Sequence, residues 1–293
     1  MNSLSPALLE LVSKAMDDDN SYEELLRHLQ MARNETPAED RERIQRIDGA
    51  TVDLGRQTRC GFGEVIYGEG KPAELVTRII QTQLDRGQSA LVTRIDSGVA
   101  FQVRQSFQFA QHNPTARTLR VSPTQTTCAR PLESDRLQST FHAAVVTAGS
   151  TDIAVAEEAI ETLAWMGVPF RRFDDIGVAG PQRLAAVVPE LRHASAVVVV
   201  AGMEGALPAV VAGHLSSPVF AVPTSVGYGT NLGGLTPLMG MLSACTSNVA
   251  AVNIDGGFKG GYMAGVVVQQ LIRHCQSPEG KSQVEASPQE VQA

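Results

Sequence analysis

The chain has 293 residues, with 31 acidic against 24 basic side chains and a formal charge of −7. That balance lacks the basic face a nucleic-acid partner selects, and the length leaves room for two domains of ordinary size. Its four cysteines, Cys60, Cys128, Cys245 and Cys275, show no CxxC or other metal spacing, so neither a disulfide framework nor a structural zinc is expected, and Cys60 is expected to be a half-buried filler.

The opening MNSLSPALLELVSKAMDDDN has no basic leader. No apolar run approaches the roughly 20 residues needed to span a bilayer, so a cytoplasmic location and no membrane partner are expected. Residues 1–45 carry two amphipathic helices, over 5–16 and 21–32. A small α+β domain is expected over 46–130, with strands near Thr51, Glu64 and Ala90 and a helix over 73–86. The polar stretch 131–140 reads as a linker. From residue 276 to 293 aromatics and aliphatic periodicity are missing, the composition of a disordered tail.

Between linker and tail, over 141–275, strand and helix patterns alternate. HAAVVTAG (142–149) and ASAVVVVAG (194–202) are short, β-branched and apolar on both faces, as strands of a parallel sheet covered by helices should be. Val155, Ala159, Leu163 and Met166 fall at steps of three and four, ahead of the stop signal Gly167 and Pro169. Helices follow over 181–194 and 206–215, with Pro208 in the first turn of the latter. PVFAVP (218–223) and VAAVNID (249–255) are further strands, and GYMAGVVVQQLIRH (261–274) is a closing helix. The fold class is therefore α/β, a doubly wound parallel sheet, beside a smaller α+β domain.

Ligands of such sheets sit at the carboxyl ends of the strands. Four loops there have suitable chemistry. In Gly149-Ser150-Thr151-Asp152 small residues admit a ligand and the hydroxyls can bond phosphate or ribose, although an ordinary N-cap has the same spacing. Gly202-Met203-Glu204-Gly205 carries a carboxylate at the end of the most apolar strand, serving either as a cap or as a pocket acid. TSVGYGTNLGGLTP (224–237) and DGGFKGG (255–261) are glycine-rich without the spacing of a dinucleotide fingerprint or a P-loop. Lys259 in the last is either a phosphate contact or a solvated lysine. Cys245, in LMGMLSACTSNVAAVNIDG, lies between an apolar helical stretch and a strand. It is a core filler or a nucleophile; as a nucleophile it precedes its strand, so it would reach a carboxyl-end site only from a long loop, a bent helix end or a neighbouring subunit.

The ordered series TAGSTD, DDIGVAG, VAGMEGALP, VAVPTSVGYG and CTSNVAAVNIDGGFKGG, together with VDLGRQTRCGFGEVIYGEGK over 52–71, resembles the LarB family of nickel-pincer cofactor biosynthesis, whose C-terminal domain is similar to PurE. The resemblance runs from about residue 46 to 271. Gly63 stands where the family has proline before EVIYG, and the first loop exchanges its two hydroxyl residues, changes that remove no functional group. The resemblance implies carboxylation of the pyridinium ring of nicotinic acid adenine dinucleotide at C5, with CO₂ or bicarbonate as co-substrate. Hydrolysis of the phosphoanhydride then releases AMP and leaves pyridinium-3,5-biscarboxylic acid mononucleotide.

By the same resemblance Cys245 is the nucleophile, Glu204 the acceptor of the C5 proton, and Asp152 a third catalytic residue that binds the ring or ribose or orients a cation. Gly149, Ser150, Thr151, Gly202, Met203 and Asn248 line the substrate site, and Arg56, Arg59 and Lys71 supply positive charge for the phosphates. A carboxylate beside pyrophosphate implies Mg²⁺, with ligands unknown. PurE-like domains imply a homo-oligomer, an octamer. Two alternatives stand beside this one: a PurE-type aminoimidazole ribonucleotide mutase and a non-catalytic dinucleotide-binding sensor. The mutase needs a loop histidine after the glycine-rich segment, whereas no histidine falls between His214, read as helical, and His274.

Overall fold

The computed structural model describes residues 43–125, 132–133 and 140–276. The helices expected over 5–16 and 21–32, most of the 131–140 linker, the tail from 277 and Cys128 lie outside the described residues. The chain divides into two compact units, 1–63 and 64–293.

In the first unit, β1 (Ile44–Ile47) and β2 (Ala50–Asp53) pair antiparallel around Asp48-Gly49, with Gly49 at φ 84°. An Asp-Gly pair suits such a two-residue turn because it tolerates left-handed backbone. Helix α1 (Arg56–Cys60) follows and stops at the left-handed Gly61. Cys60 is exposed on this helix, not the half-buried filler its position suggested: five residues are too few to give the helix a buried face.

The second unit holds both larger sheets. The smaller is built from β3 (Val65–Tyr67), β4 (Ala90–Thr93), β5 (Ala110–Asn113) and β6 (Thr118–Val121), in the order β3-β4-β6-β5. β3 and β4 run parallel because α2 (Ala73–Leu84) crosses between them, and the other pairings are antiparallel. Helix α3 (Ser97–Arg104) starts at Asp96, whose carboxylate accepts the N–H groups of Gly98 and Val99.

The larger sheet is wholly parallel. Its elements are β7 (Ala143–Thr147), α4 (Ile153–Trp165), β8 (Phe170–Phe173), α5 (Pro181–Leu191), β9 (Ala196–Ala201), α6 (Leu207–Ala212), β10 (Val219–Pro223), α7 (Leu235–Leu242), β11 (Val249–Ala251) and α8 (Gly257–Gln276). The strand order is β11-β10-β9-β7-β8, so the chain reverses direction across the sheet between β7 and β9. Every residue of β7, β9 and β10 is buried, and alternate side chains serve two layers. Val197, Val199 and Ala221 pack with Leu184, Val188, Leu207 and Val211 beneath α5 and α6. On the other face Val198 and Val222 meet α8 at Gly260. β8 was not anticipated: FRRF reads as polar, and it forms an edge strand whose two central arginines are half-exposed.

Helix α8 begins inside the expected DGGFKGG loop. Its glycines serve packing: a Cβ on Gly257 would lie 2.0 Å from the Val155 carbonyl oxygen, and one on Gly261 would lie 2.6 Å from that of Ala159. α8 therefore lies directly against α4. Among the described residues no helix is long and apolar enough to cross a membrane.

Candidate functional site

A cavity of about 240 Å³ opens at the carboxyl ends of β7 and β9, where the strand order reverses. In doubly wound sheets that crevice takes the ligand, because neighbouring loops there diverge to opposite faces. Gly149, Thr151 and Asp152 reach it from the loop after β7, Gly177 to Ala179 from that after β8, and Gly202, Met203 and Glu204 from that after β9. Arg183 enters from the first turn of α5 and pairs with Asp175 at 2.8 Å. No histidine is among the lining residues.

Asp152 is the polar centre of this cavity. It is 3 % exposed; Oδ2 accepts the Gly149 N–H at 3.0 Å and Oδ1 accepts the Thr224 hydroxyl at 2.8 Å. Both readings of Asp152 thus meet in one residue, since it caps the chain turn before α4 and lines the cavity. Burial raises its pKa above the ordinary 3.8, against the lowering effect of the two hydrogen bonds. Thr224, fully buried at the end of β10, ties the loops after β7 and β10 together through this bond.

The loops are also held by close backbone approach. A Cβ on Gly202 would lie 2.4 Å from the Val226 carbonyl oxygen and 2.7 Å from Thr224 Oγ1. Met203 follows in left-handed backbone, φ 55°, a strained conformation for a side chain of this kind. That turn leaves Met203 and Glu204 exposed at the cavity mouth. Asn231 reaches back from the glycine-rich loop, its amide donating to the Val226 carbonyl at 3.3 Å while its oxygen accepts Gly234 N–H at 2.8 Å.

A second cavity, of about 210 Å³, shares Thr151 and Val226 with the first and adds Arg94, Arg117, Glu158 and Asp255. A third, of about 440 Å³, shares Arg94 and Glu158 with the second and is completed by Tyr67, Asn253, Phe258 and Lys259. Arg94 joins these walls. Its Nε donates to Glu158 Oε1 at 3.1 Å, and Nη2 donates to the Asp255 carbonyl. The Glu158 side chain is 4 % exposed, and burial raises its pKa against the pull of Arg94 and the Phe258 N–H. Arg94, Arg117 and Asp255 all hold left-handed backbone, at φ 55°, 52° and 53°.

The remaining sequence candidates lie elsewhere. Cys245 is exposed in the loop between α7 and β11. That loop leads into the amino end of β11, and Cys245 is not among the residues lining the Asp152 cavity, although Gly240 earlier on α7 packs against the Glu204 carbonyl. Asn248 is held there: its amide donates to the carbonyls of Ala212, Leu215 and Ser217 at 3.1–3.3 Å. Ser150 is exposed in the turn after Gly149 but does not line the cavity. Lys71 Nζ donates to the Tyr67 carbonyl at 2.7 Å and lies over the Tyr67 ring. In the first unit Arg59 pairs with Asp53 at 2.6 Å, holding that carboxyl below its ordinary value with help from Arg56. His214 lies in the turn after α6, outside the helix expected to carry it.

Among the described residues no three His, Cys, Asp or Glu side chains are grouped to hold a metal, so a Mg²⁺ ion at the phosphates would take most of its ligands from substrate and water.

Family models for a LarB/PurE-like N-terminal domain and for AIR carboxylase match residues 44–123 and 142–291. "Uncharacterized protein MJ0165" of Methanocaldococcus jannaschii is 34% identical over 220 residues, which is 74% of this chain and 83% of that protein. Among solved structures, a substituted form of PurE2 from Treponema denticola is 14% identical, with a TM-score of 0.37 over 52% of this chain and 99% of its own. Treponema denticola PurE is also 14% identical, with a TM-score of 0.36 over 51% and 98%.

Proposed function

The chain belongs to the LarB family, with a PurE-like C-terminal domain of the carboxylase and mutase class, and from that premise we propose that it carboxylates nicotinic acid adenine dinucleotide at C5 of the pyridinium ring and hydrolyses its phosphoanhydride. The products are AMP and pyridinium-3,5-biscarboxylic acid mononucleotide, a precursor of a nickel-pincer cofactor. The observation that carries the reading is the convergence of Asp152, Thr151, Gly202 and Glu204 on one cavity at the switch point of the sheet, without a histidine among its lining residues. That composition favours it over the histidine-dependent mutase.

A pyridinium ring is too electron-poor to attack CO₂. Addition of a thiolate at C4 delivers an electron pair to the ring and makes C5 an enamine carbon. C5 then forms its bond to CO₂, Glu204 accepts the C5 proton, and departure of the thiolate from C4 restores the aromatic ring. Water completes the second reaction by cleaving the phosphoanhydride. Asp152, buried and held by Thr224, orients the ribose or ring. Mg²⁺ enters this reading only as a companion of the substrate's phosphates.

Cys245 is the proposed nucleophile. Because it precedes its strand and does not line the Asp152 cavity, the reading draws the thiolate from a second copy of the chain, and hence from a homo-oligomer such as an octamer. Exposed Leu235, Met239 and Leu242, at steps of four and three on α7, form an apolar stripe just before Cys245 that a second copy would cover.

The test is incubation of full-length protein with the dinucleotide, bicarbonate and magnesium, comparing wild type with Cys245→Ala. Carboxylation that persists in the variant contradicts the mechanism. Retained dinucleotide binding without turnover in the wild type favours the sensor.

A further inference from the structure

We infer that the cavity bounded by Tyr67, Arg94, Phe258 and Lys259 binds the adenylate half of the dinucleotide, as a site for a purine nucleoside 5′-monophosphate; this rests on the reading above. The first support is position. The Asp152 cavity shares Thr151 and Val226 with its neighbour, which shares Arg94 and Glu158 with the third. A ligand with two rings joined by a pyrophosphate has the form of such a series, one ring at each end and the phosphates near Arg94.

Size and chemistry agree. At about 440 Å³ the third cavity is the larger end, as the purine nucleotide is larger than the pyridine ring. The Tyr67 ring is 55 % exposed, because β3 turns Ile66 into the core and Tyr67 away from it. Its hydroxyl donates to Glu69, which fixes the ring, and Lys71 stands 5.8 Å over it, leaving the other face for a base. Phe258 adds a second ring, tilted against Tyr262, and Val252 and Ile254 add an apolar wall. Among the lining residues the cations are Arg94 and exposed Lys259 and the carboxylate is the buried Glu158, which Arg94 pairs, so Lys259 is the cation placed for a phosphate.

The subsite requires AMP to bind on its own, which the mutase alternative does not. Calorimetry on the full chain, with AMP, nicotinic acid mononucleotide and the dinucleotide titrated separately, tests it. Wild type should bind all three. Tyr67→Ala and Lys259→Ala should each weaken AMP at least about tenfold, the scale of a lost base stack or phosphate contact, and leave the nicotinic acid mononucleotide within about twofold. Both side chains are exposed, and retained mononucleotide binding reports an intact fold. Wild type that binds the dinucleotide and nicotinic acid mononucleotide but not AMP, or AMP binding indifferent to both substitutions, overturns the subsite and leaves the proposed reaction standing. Failure of all three ligands to bind overturns both.

Discussion

Replacing Thr224 by valine removes one hydroxyl with little change of volume. Thr224 is fully buried and its hydroxyl is the donor to Asp152 Oδ1, at 2.8 Å. Without it a buried carboxylate oxygen has no donor, and Gly149 N–H at the other oxygen cannot replace it. The cost is about 1–3 kcal/mol, equivalent to a melting temperature lower by about 2–12 °C for a unit of this size. The sign with pH follows from Asp152. Its folded pKa already lies above 3.8 through burial, and loss of the hydroxyl raises it further. The penalty falls on the ionised form, so it is complete above the folded pKa and fades as pH falls toward 3.8. Urea unfolding of Thr224→Val and wild type, from about pH 8 to about pH 4.5, should show the gap between them narrowing with acid. A gap below about 0.5 kcal/mol at the upper pH, or one independent of pH, refutes the reasoning.

Arg94→Met strands the buried Glu158 carboxylate and should destabilise by about 3–5 kcal/mol in urea unfolding; a loss under about 1 kcal/mol would mean that the pair is dispensable. Gly202→Ala drives a methyl group into the Val226 carbonyl, so a cost of about 1–3 kcal/mol and at least about tenfold slower turnover are expected; unchanged kinetics would show that the loop spacing is not needed. Asp152 and Glu158 both have raised pKa values, so each adds stability that is present below 3.8 and 4.5 respectively and is lost as pH rises through the folded value. Asp152→Asn with Glu158→Gln should therefore flatten the acid side of the stability curve, and a curve parallel to wild type counts against it. Cys245→Ala and Asp152→Asn should each be inactive, yet co-assembled at equal amounts should recover activity at about a quarter of the sites; no recovery contradicts a site completed by two copies.

The buried strands were legible because β7, β9 and β10 are apolar on both faces, a pattern only a helix-covered sheet requires. β8 was not, because an edge strand with Arg171 and Arg172 half-exposed lacks that pattern. Glycines at 257, 260 and 261 read as a loop, while their actual role is to let α8 approach α4 and the sheet, a property of the partner's position. Asp152, Gly202 and Glu204 were legible from their place after strands. Thr224, Arg94 and Glu158 were missed for the same reason: their partners Asp152, Glu158 and Arg94 lie 72 or 64 residues away, and no local spacing announces such pairs. The left-handed backbone at Arg94, Arg117 and Asp255 has no composition signal either. That Cys245 leads into a parallel strand was readable from the sequence, and the structure has it exposed in the loop before β11.

The most direct test is mass spectrometry of the full-length protein incubated with nicotinic acid adenine dinucleotide, magnesium and isotope-labelled bicarbonate. The expected result is AMP together with a mononucleotide that carries one labelled carboxyl group. Dinucleotide that binds yet yields neither product would contradict the proposed reaction.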